Sequence, residues 1–190
     1  LAAARTAGQT GVRVSFDGNF RPKLWREWNG DAPAILRELI GYVQVVFADY
    51  RDIAVVLGRE FAQPDLFERV NAAASAAFEA FPQLEVMACT HRTAHSVDHH
   101  TLSAQLCRRG TPGVHARPME VAGIVDRIGG GDAFAAGLLH GLIEGMADPD
   151  ALAFALAAGA FKHSLPGDFN LVSAAEVRSI VDAHGFDVRR

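Results

Sequence analysis

Short apolar segments alternate with longer segments of helical periodicity along this chain. The apolar segments at 12–16, 43–47 and 84–89 have the length and apolar content of buried strands. The spacing of apolar positions predicts helices at 32–42, 51–57, 65–81, 131–146, 149–163 and 173–183. Buried strands that alternate with helices favour a layered α/β fold with a largely parallel sheet.

Two parts of the chain depart from this alternation. Residues 1–8 have the pattern of the late part of a helix, which predicts that the chain starts within a domain. Residues 95–125 hold short extended pieces interrupted by Gly and Pro, which predicts hairpin-like strands ending in a strand at 121–125. Since no repeat or linker divides the sequence, we expect residues 1–190 to form one domain.

Composition and charge exclude several classes of partner. With 49% hydrophobic and 21% charged residues, the chain has enough apolar side chains for a core. A net charge of -4 argues against nucleic acid or an anionic membrane as the main partner, and no apolar run has the length of a membrane span. Cys89 and Cys107 lack C-x-x-C spacing and are too few for a disulfide framework, which indicates a reducing, cytoplasmic location.

A glycine-rich turn at 126–134, with the sequence D-R-I-G-G-G-D-A-F, carries the most specific signal. Three glycines at a helix N-terminus leave backbone N–H groups unshielded, and such a nest binds phosphate with the help of the helix dipole. The chain has no G-x-x-x-x-G-K-[ST] motif, and the dinucleotide fingerprint is incomplete. Asp132 also has a purely structural interpretation, because aspartate is a common helix N-cap. Gly137, Gly141 and Gly145 follow at a spacing of four, which predicts close packing of this helix.

This turn resembles the C-terminal signature D-T-x-G-A-G-D of the ribokinase-like (phosphofructokinase B type) carbohydrate kinases. The match keeps Asp126, Gly129, Gly131 and Asp132, and it departs at Arg127, Ile128 and Gly130. In that family the final aspartate is the catalytic base and the glycine amides form an anion hole. The resemblance therefore implies that Asp132 is the base and that Asp126 and the three glycines belong to the nucleotide site, where Gly130 would make the loop more flexible.

A second segment, at 14–25, resembles the D-x-N-x-R-x-x-L-W segment of the 2-keto-3-deoxygluconate kinases in that family. There the arginine reaches the carboxylate of the acidic sugar and the asparagine lies near the nucleotide phosphates. The resemblance carries these roles to Arg21 and Asn19. A guanidinium matches a carboxylate with two parallel hydrogen bonds, which lysine cannot form. An arginine exposed on a strand-to-loop turn is the alternative interpretation.

A third segment, at 162–170, resembles the K-H-x-x-P-G-D-F-N tail of the same kinases, near the nucleotide and the mouth of the site. The resemblance assigns His163 to the nucleotide site, whereas capping of a helix C-terminus is the alternative for this residue. Three matches in the same order over most of the chain make the resemblance specific.

Two further family positions match less closely. The family's N-x-x-E, which organises magnesium through water, falls on D-Y-R-D at 49–52, so that Asp52 takes the metal position with a shorter side chain. Many relatives carry K-x-G where this chain has C-T-H-R at 89–92, and Arg92 would supply the missing cation for the substrate.

Four histidines cluster along a segment that we expect to be extended, at His91, His95, His99 and His100. Their spacing alternates, and we expect no cysteine or carboxylate to complete a tetrahedral set of ligands with them. We therefore expect no zinc site there.

Together the matches imply a three-layer α/β/α ribokinase-like (Rossmann-like) fold that lacks its N-terminal part and its small β lid. They imply in-line phosphoryl transfer from ATP, with Mg²⁺, to a sugar or sugar acid, with Asp132 accepting the proton of the terminal hydroxyl. A kinase for a neutral sugar or nucleoside is one alternative, and a non-catalytic fragment or binding module without the lid is another. The resemblance is also compatible with a homodimer of the intact protein.

Overall fold

The computed structural model describes residues 1–182. The helices are α1 Ala2–Gln9, α2 Pro22–Trp28, α3 Ala32–Ile40, α4 Tyr50–Leu57, α5 Leu66–Ala80, α6 Gly130–Ile143, α7 Asp148–Lys162 and α8 Ala174–Asp182. The strands are β1 Ser15–Asp17, β2 Val45–Phe47, β3 Val86–Ala94, β4 His99–Arg108, β5 Val114–His115 and β6 Met119–Ala122. They form a mixed sheet in the order β1-β2-β3-β4-β5, with β6 paired to β4. Among the described helices, none combines the length and apolarity needed to cross a bilayer.

The chain folds as two compact units. The first unit holds residues 1–89 and 106–113, and the second holds residues 90–105 and 114–182. The assignment of the whole chain to one domain stays a prediction.

The parallel strands of the first unit direct polar residues to one edge. Strand β1 pairs with β2 so that Asp17 lies opposite Phe47, and β2 pairs with β3 so that Phe47 lies opposite Ala88. Every residue of β2 is buried, as is typical of a parallel strand covered on both faces. The carboxyl ends of parallel strands share one edge, so Asp17 and Asp49 emerge on the same side.

The second unit joins an antiparallel strand pair to a helix pair with close backbones. A Cβ added to Gly137 would lie 2.9 Å from the Cα of Ala155 on α7, and one added to Gly141 would lie 2.7 Å from the Cβ of Ala151. The predicted close packing of α6 is confirmed at these two glycines. Gly145 lies beyond the end of α6 at φ 71° and takes no part in this contact.

Most differences from the predicted elements have a local cause. Helix α2 was not predicted, because it has no buried residue and its sequence therefore lacks the periodic apolar positions of a buried face. Strand β1 begins later than predicted, since Val12 is 59% exposed. The strand predicted at 121–125 is Met119–Ala122. Helix α8 starts at Ala174, and residue 183 of its predicted span lies outside the described residues.

Candidate active site

The first glycine of the turn is required by the backbone. Gly129 is the N-cap residue of α6 and has φ 78°, a left-handed conformation that side chains disfavour. A Cβ at this position would also collide with the backbone oxygen of Asp168. Glycine is therefore the residue that lets the 126–132 turn approach the backbone of the 167–168 turn.

The second glycine makes room for a histidine ring. Gly130 is the buried first residue of α6, and an added Cβ would lie 2.9 Å from Cε1 of His163. The Nδ1–H of His163 donates to the backbone oxygen of Gly159 at 2.8 Å, which holds the ring in this place. Glycine instead of the family's alanine thus has a packing role, and the expected gain in loop flexibility stays a prediction.

The third glycine has no such constraint. Gly131 is exposed, and an added Cβ would have no neighbouring atom within 4 Å. The amide of Gly130 donates to the backbone oxygen of Arg127 at 3.3 Å, whereas within the described residues the amides of Gly131 and Asp132 have no acceptor. These two N–H groups belong to the first helical turn, where donors have no partner in the helix.

Asp126 ties the start of the turn to a later loop. Its carboxylate accepts hydrogen bonds from the amide of Ile128 at 2.9 Å and from the amide of Gly167 at 3.0 Å. These two bonds, that of Ile128 first, lower the pKa of Asp126 below its usual value, and the charge of Lys162 adds to the effect. Asp126 therefore shapes the turn and leaves its open face, the exposed side with Gly131 and Asp132, to other groups.

Asp132 lies on this open face. It is the third residue of α6 and is exposed, and among the described residues its carboxylate has no hydrogen-bond partner. Since the N-cap is Gly129, the interpretation of Asp132 as a helix cap is wrong. A carboxylate without a structural partner on the first turn of a helix is available to a ligand.

Three cations act electrostatically on the histidine that lies against Gly130. Burial lowers the pKa of His163, and the charges of Lys162, Arg92 and Arg127 lower it further. Arg92, predicted as the missing cation, thus lies within electrostatic range of the glycine turn. Arg127 was read only as a departure from the motif, although its charge suits an anion site. Lys162 is fully buried and donates to the backbone oxygen of Leu165 at 2.9 Å.

Asn19 and Arg21 lie together in the first unit. The amide of Asn19 donates to Asp17 at 3.0 Å, and Nε of Arg21 donates to Oδ1 of Asn19 at 3.3 Å. Asn19 has φ 34°, a positive value that is uncommon for a residue other than glycine. Arg21 is exposed and has no ion-pair partner within the described residues.

The predicted metal position belongs to a capping box. The side chain of Asp49 accepts from the amides of Arg51 and Asp52, and the carboxylate of Asp52 accepts from the amide of Asp49 at 2.9 Å. Asp49 also forms an ion pair with the side chain of Arg51. Burial raises the pKa of Asp52 to about 6, and the charges of Asp49 and Asp17 raise it as well, although the hydrogen bond from Asp49 opposes the shift.

The histidine-rich segment separates into two groups. His100 is buried within β4, whereas His95 and His99 lie at the start of the hairpin together with Glu120 of β6. The expectation that no carboxylate joins these histidines is therefore wrong. The sequence contains no local signal for Glu120, because it enters through strand pairing across 21 residues.

Comparison with known proteins gives the family of the chain. The model of the pfkB family carbohydrate kinases matches residues 1–173. A 2-dehydro-3-deoxygalactonokinase of Haloferax volcanii is 30% identical over 177 residues, which cover 93% of this chain and 49% of the relative.

Solved structures of similar fold include two bacterial proteins. A 2-dehydro-3-deoxygluconokinase from Thermotoga maritima has a TM-score of 0.85 at 29% identity, covering 95% of this chain and 54% of its own. A pfkB family carbohydrate kinase from Listeria grayi has a TM-score of 0.85 at 29% identity, covering 95% and 53%. The chain thus spans about half the length of the relatives it matches. With its glycine turn, its ribokinase-like α/β fold and a family match over residues 1–173, this chain belongs to the pfkB family of carbohydrate kinases.

Proposed function

We propose that the protein transfers the γ-phosphoryl group of ATP to a hydroxyl of a sugar acid of the 2-keto-3-deoxygluconate type. Asp132 is the general base, and the backbone amides of the glycine turn bind the phosphate. The single observation that carries this proposal is the exposed Asp132 carboxylate on the first turn of α6, which has no partner among the described residues.

The role of Asp132 follows from its position. A carboxylate that no protein group occupies can accept the proton of a substrate hydroxyl as the oxygen attacks phosphorus. The adjacent amides of Gly131 and Asp132 have no acceptor within the described residues, so they are available to phosphate oxygens. Phosphoryl transfer needs positioning and charge stabilisation more than covalent chemistry, and a base beside an anion nest supplies both.

Cations near the turn support binding of a phosphate. Arg92 and Arg127 act on the pKa of His163 beneath Gly130, so their positive charge reaches the turn. Guanidinium groups bind phosphate through parallel hydrogen bonds and keep their charge. Arg127, in the position of the family's threonine, adds a cation to the sequence pattern.

The carboxylates of the first unit fit a magnesium ion. Mg²⁺ prefers oxygen ligands and keeps several waters, and Asp17, Asp49 and Asp52 are close enough for the first two to raise the pKa of the third. Asp52 would hold the ion through water, since one of its oxygens already accepts from the Asp49 amide. A bound Mg²⁺ would supply charge neutralisation for a phosphate group.

Arg21 supports an acidic substrate. Its exposed guanidinium is oriented by Asn19, and the described residues give it no carboxylate partner. The similar proteins from Haloferax volcanii and Thermotoga maritima are named as kinases of 2-dehydro-3-deoxy sugar acids. A neutral sugar would leave the charge of Arg21 unpaired in the complex.

The test compares a sugar acid with the corresponding neutral sugar in steady-state kinetics with Mg²⁺ and ATP. Arg21→Lys should lower kcat/KM for the acid by about 10- to 150-fold, which corresponds to a charged hydrogen bond of about 1.5–3 kcal/mol, and should change the neutral sugar much less. Arg26→Lys, an exposed arginine on α2, is the matched control and should change neither.

Other outcomes point to the other functions. Equal losses for both substrates would support a kinase of neutral sugars or nucleosides. Nucleotide binding without turnover of either substrate would support a binding module.

A further inference from the structure

Two histidines and a glutamate lie together at the hairpin between β3 and β4 and on β6. Each of His95, His99 and Glu120 offers one ligand atom, and these atoms all lie within 4.8 Å of one another. We propose that the three residues form a Zn²⁺ site on the second unit. The site stands on residues outside the glycine turn and does not depend on the proposed kinase activity.

The backbone holds the three residues in register. The amide of His95 donates to the backbone oxygen of His99 at 2.9 Å, which closes the hairpin. Strand β4 pairs with β6 so that Thr101 lies opposite Glu120. The backbone oxygen of Asp98, in the hairpin turn, also accepts from the amide of Ile124 at 3.1 Å. Ligands from the hairpin and from β6 are therefore carried by one hydrogen-bonded framework.

The side chains converge through a shared threonine. Nε2 of His99 lies 2.8 Å from Oε2 of Glu120, and Nε2 of His95 lies 2.6 Å from Oγ1 of Thr101. The hydroxyl of Thr101 donates to Oε1 of Glu120 at 2.7 Å, and the two imidazole rings are 4.9 Å apart between centroids. A hydroxyl that orients the carboxylate is the kind of supporting contact that metal ligands commonly have.

The ligand types select the ion. Two imidazoles and one carboxylate suit Zn²⁺, whereas Mg²⁺ prefers oxygen ligands alone. Two ligand atoms of a tetrahedral zinc site lie roughly 3.3 Å apart, so the longest separation in the cluster closes by small side-chain rotations. His95 and Glu120 are exposed, which leaves their side chains room to rotate. Three protein ligands leave a fourth position for water or another ligand.

The experiment titrates Zn²⁺ into the tag-free, chelator-treated protein by isothermal calorimetry, with Co²⁺ absorption as a second readout of tetrahedral geometry. The wild-type protein should bind one zinc ion at this site. His95→Ala, His99→Ala and Glu120→Gln should each weaken the Kd at least about tenfold, since even supporting residues of metal sites cost 10- to 100-fold. His115→Ala removes an exposed histidine of the same unit and should leave the Kd unchanged.

Thermal unfolding without metal shows whether each variant is folded, and Glu120→Gln keeps the size of the side chain. Zinc binding that the three variants leave intact, or that His115→Ala weakens equally, would overturn the site. So would a folded wild-type protein that binds no zinc and gives no tetrahedral Co²⁺ spectrum.

Discussion

Asp52 and Asp132 occupy the same position in two different helices, and their surroundings are opposite. Each is the third residue of its helix, in α4 and in α6. Asp52 follows an aspartate N-cap and returns a hydrogen bond to it at 2.9 Å, while burial raises its pKa to about 6. Asp132 follows a glycine N-cap, is exposed and has no hydrogen-bond partner within the described part of the chain.

The N-cap residue accounts for the difference. An aspartate at the N-cap closes a reciprocal box, and this box uses the third carboxylate for structure. Gly129 has no side chain to offer and bends the chain at φ 78°, which leaves the third carboxylate and the neighbouring amides unused. At the same helical position, the carboxylate of Asp52 is tied into the helix start, whereas that of Asp132 has no such bond among the described residues.

The largest effect is expected on catalysis, from a substitution of Asp132. Asp132→Asn should lower kcat by about 10²–10⁴, the range for loss of a general base, because the amide cannot accept the hydroxyl proton. The melting temperature and ATP affinity should stay nearly unchanged, since the carboxylate has no hydrogen-bond partner within the described residues. Steady-state kinetics and thermal unfolding measure the two quantities. Glu144→Gln, an exposed acid at the C-cap of α6, is the control and should keep full turnover. Turnover of Asp132→Asn within a few-fold of wild type would remove the base from the mechanism.

Two alanine substitutions in the turn distinguish packing against the protein from access of the ATP phosphates. Gly130→Ala should lower the free energy of unfolding by about 1–3 kcal/mol, the usual cost of overpacking, because the methyl group meets the His163 ring. Gly131→Ala meets no protein atom and should keep or slightly raise stability, by up to about 1 kcal/mol from helix propensity. Its methyl group should nevertheless obstruct the approach of a phosphate to the amides and weaken ATP binding by about tenfold or more, as much as a lost hydrogen bond to a charged group. Urea unfolding and ATP titration test both, and wild-type ATP affinity in Gly131→Ala would contradict the nest.

The capping box gives a smaller effect, on stability. Asp52→Ala should lower the free energy of unfolding by about 0.5–2 kcal/mol, because the amide of Asp49 loses its acceptor. Asp52→Asn should avoid this loss, since an amide oxygen still accepts. Asp132→Ala is the matched change at the second helix and should stay within about 0.5 kcal/mol of wild type. A larger loss for Asp132→Ala than for Asp52→Ala, in chemical denaturation, would reverse the comparison.

The pKa of Asp52 predicts the weakest effect, a pH dependence. Its folded pKa of about 6 lies above that of an unfolded aspartate, so its contribution to stability is fully present below about pH 4 and is lost as the pH rises through about 6. The free energy of unfolding of wild type minus that of Asp52→Asn should therefore fall between these pH values. Urea unfolding of both proteins at several pH values measures this difference. A difference that stays constant or rises would show that Asp52 is not held in its protonated form by the fold.

The long elements were predictable because their signal is local. Helix α5 was predicted at 65–81 and is Leu66–Ala80, since its apolar residues repeat with the helical period and its N-cap Asp65 is a recognised start. Helix α2 escaped prediction, because all its residues are at least partly exposed and periodicity reports only a buried face. Strand β6 was misplaced because its position depends on pairing with β4 more than on its own residues.

In the candidate site, too, the local features were predictable from the sequence and the distant contacts were not. The turn at 126–132 is contiguous, so the proposed chemistry of Asp132 and the glycines could be recognised from a sequence motif. The reason for each glycine was not visible in the sequence, because it lies in contacts with distant residues. A Cβ at Gly129 would meet the backbone of Asp168, and a Cβ at Gly130 would meet the ring of His163. The structure alone also removed the N-cap interpretation of Asp132, since the turn begins the helix at Gly130.

The sequence by itself therefore determined the family, the element types and the residues that carry the proposed chemistry, because these depend on neighbours along the chain. Tertiary structure decided which of those residues have hydrogen-bond partners within the fold and which are available to a ligand. It joined Glu120 to His95 and His99, and it placed the ring of His163 beneath Gly130. The physical reason is that strand register and helix packing bring distant residues into contact, and the spacing of residues along a chain carries no record of those contacts.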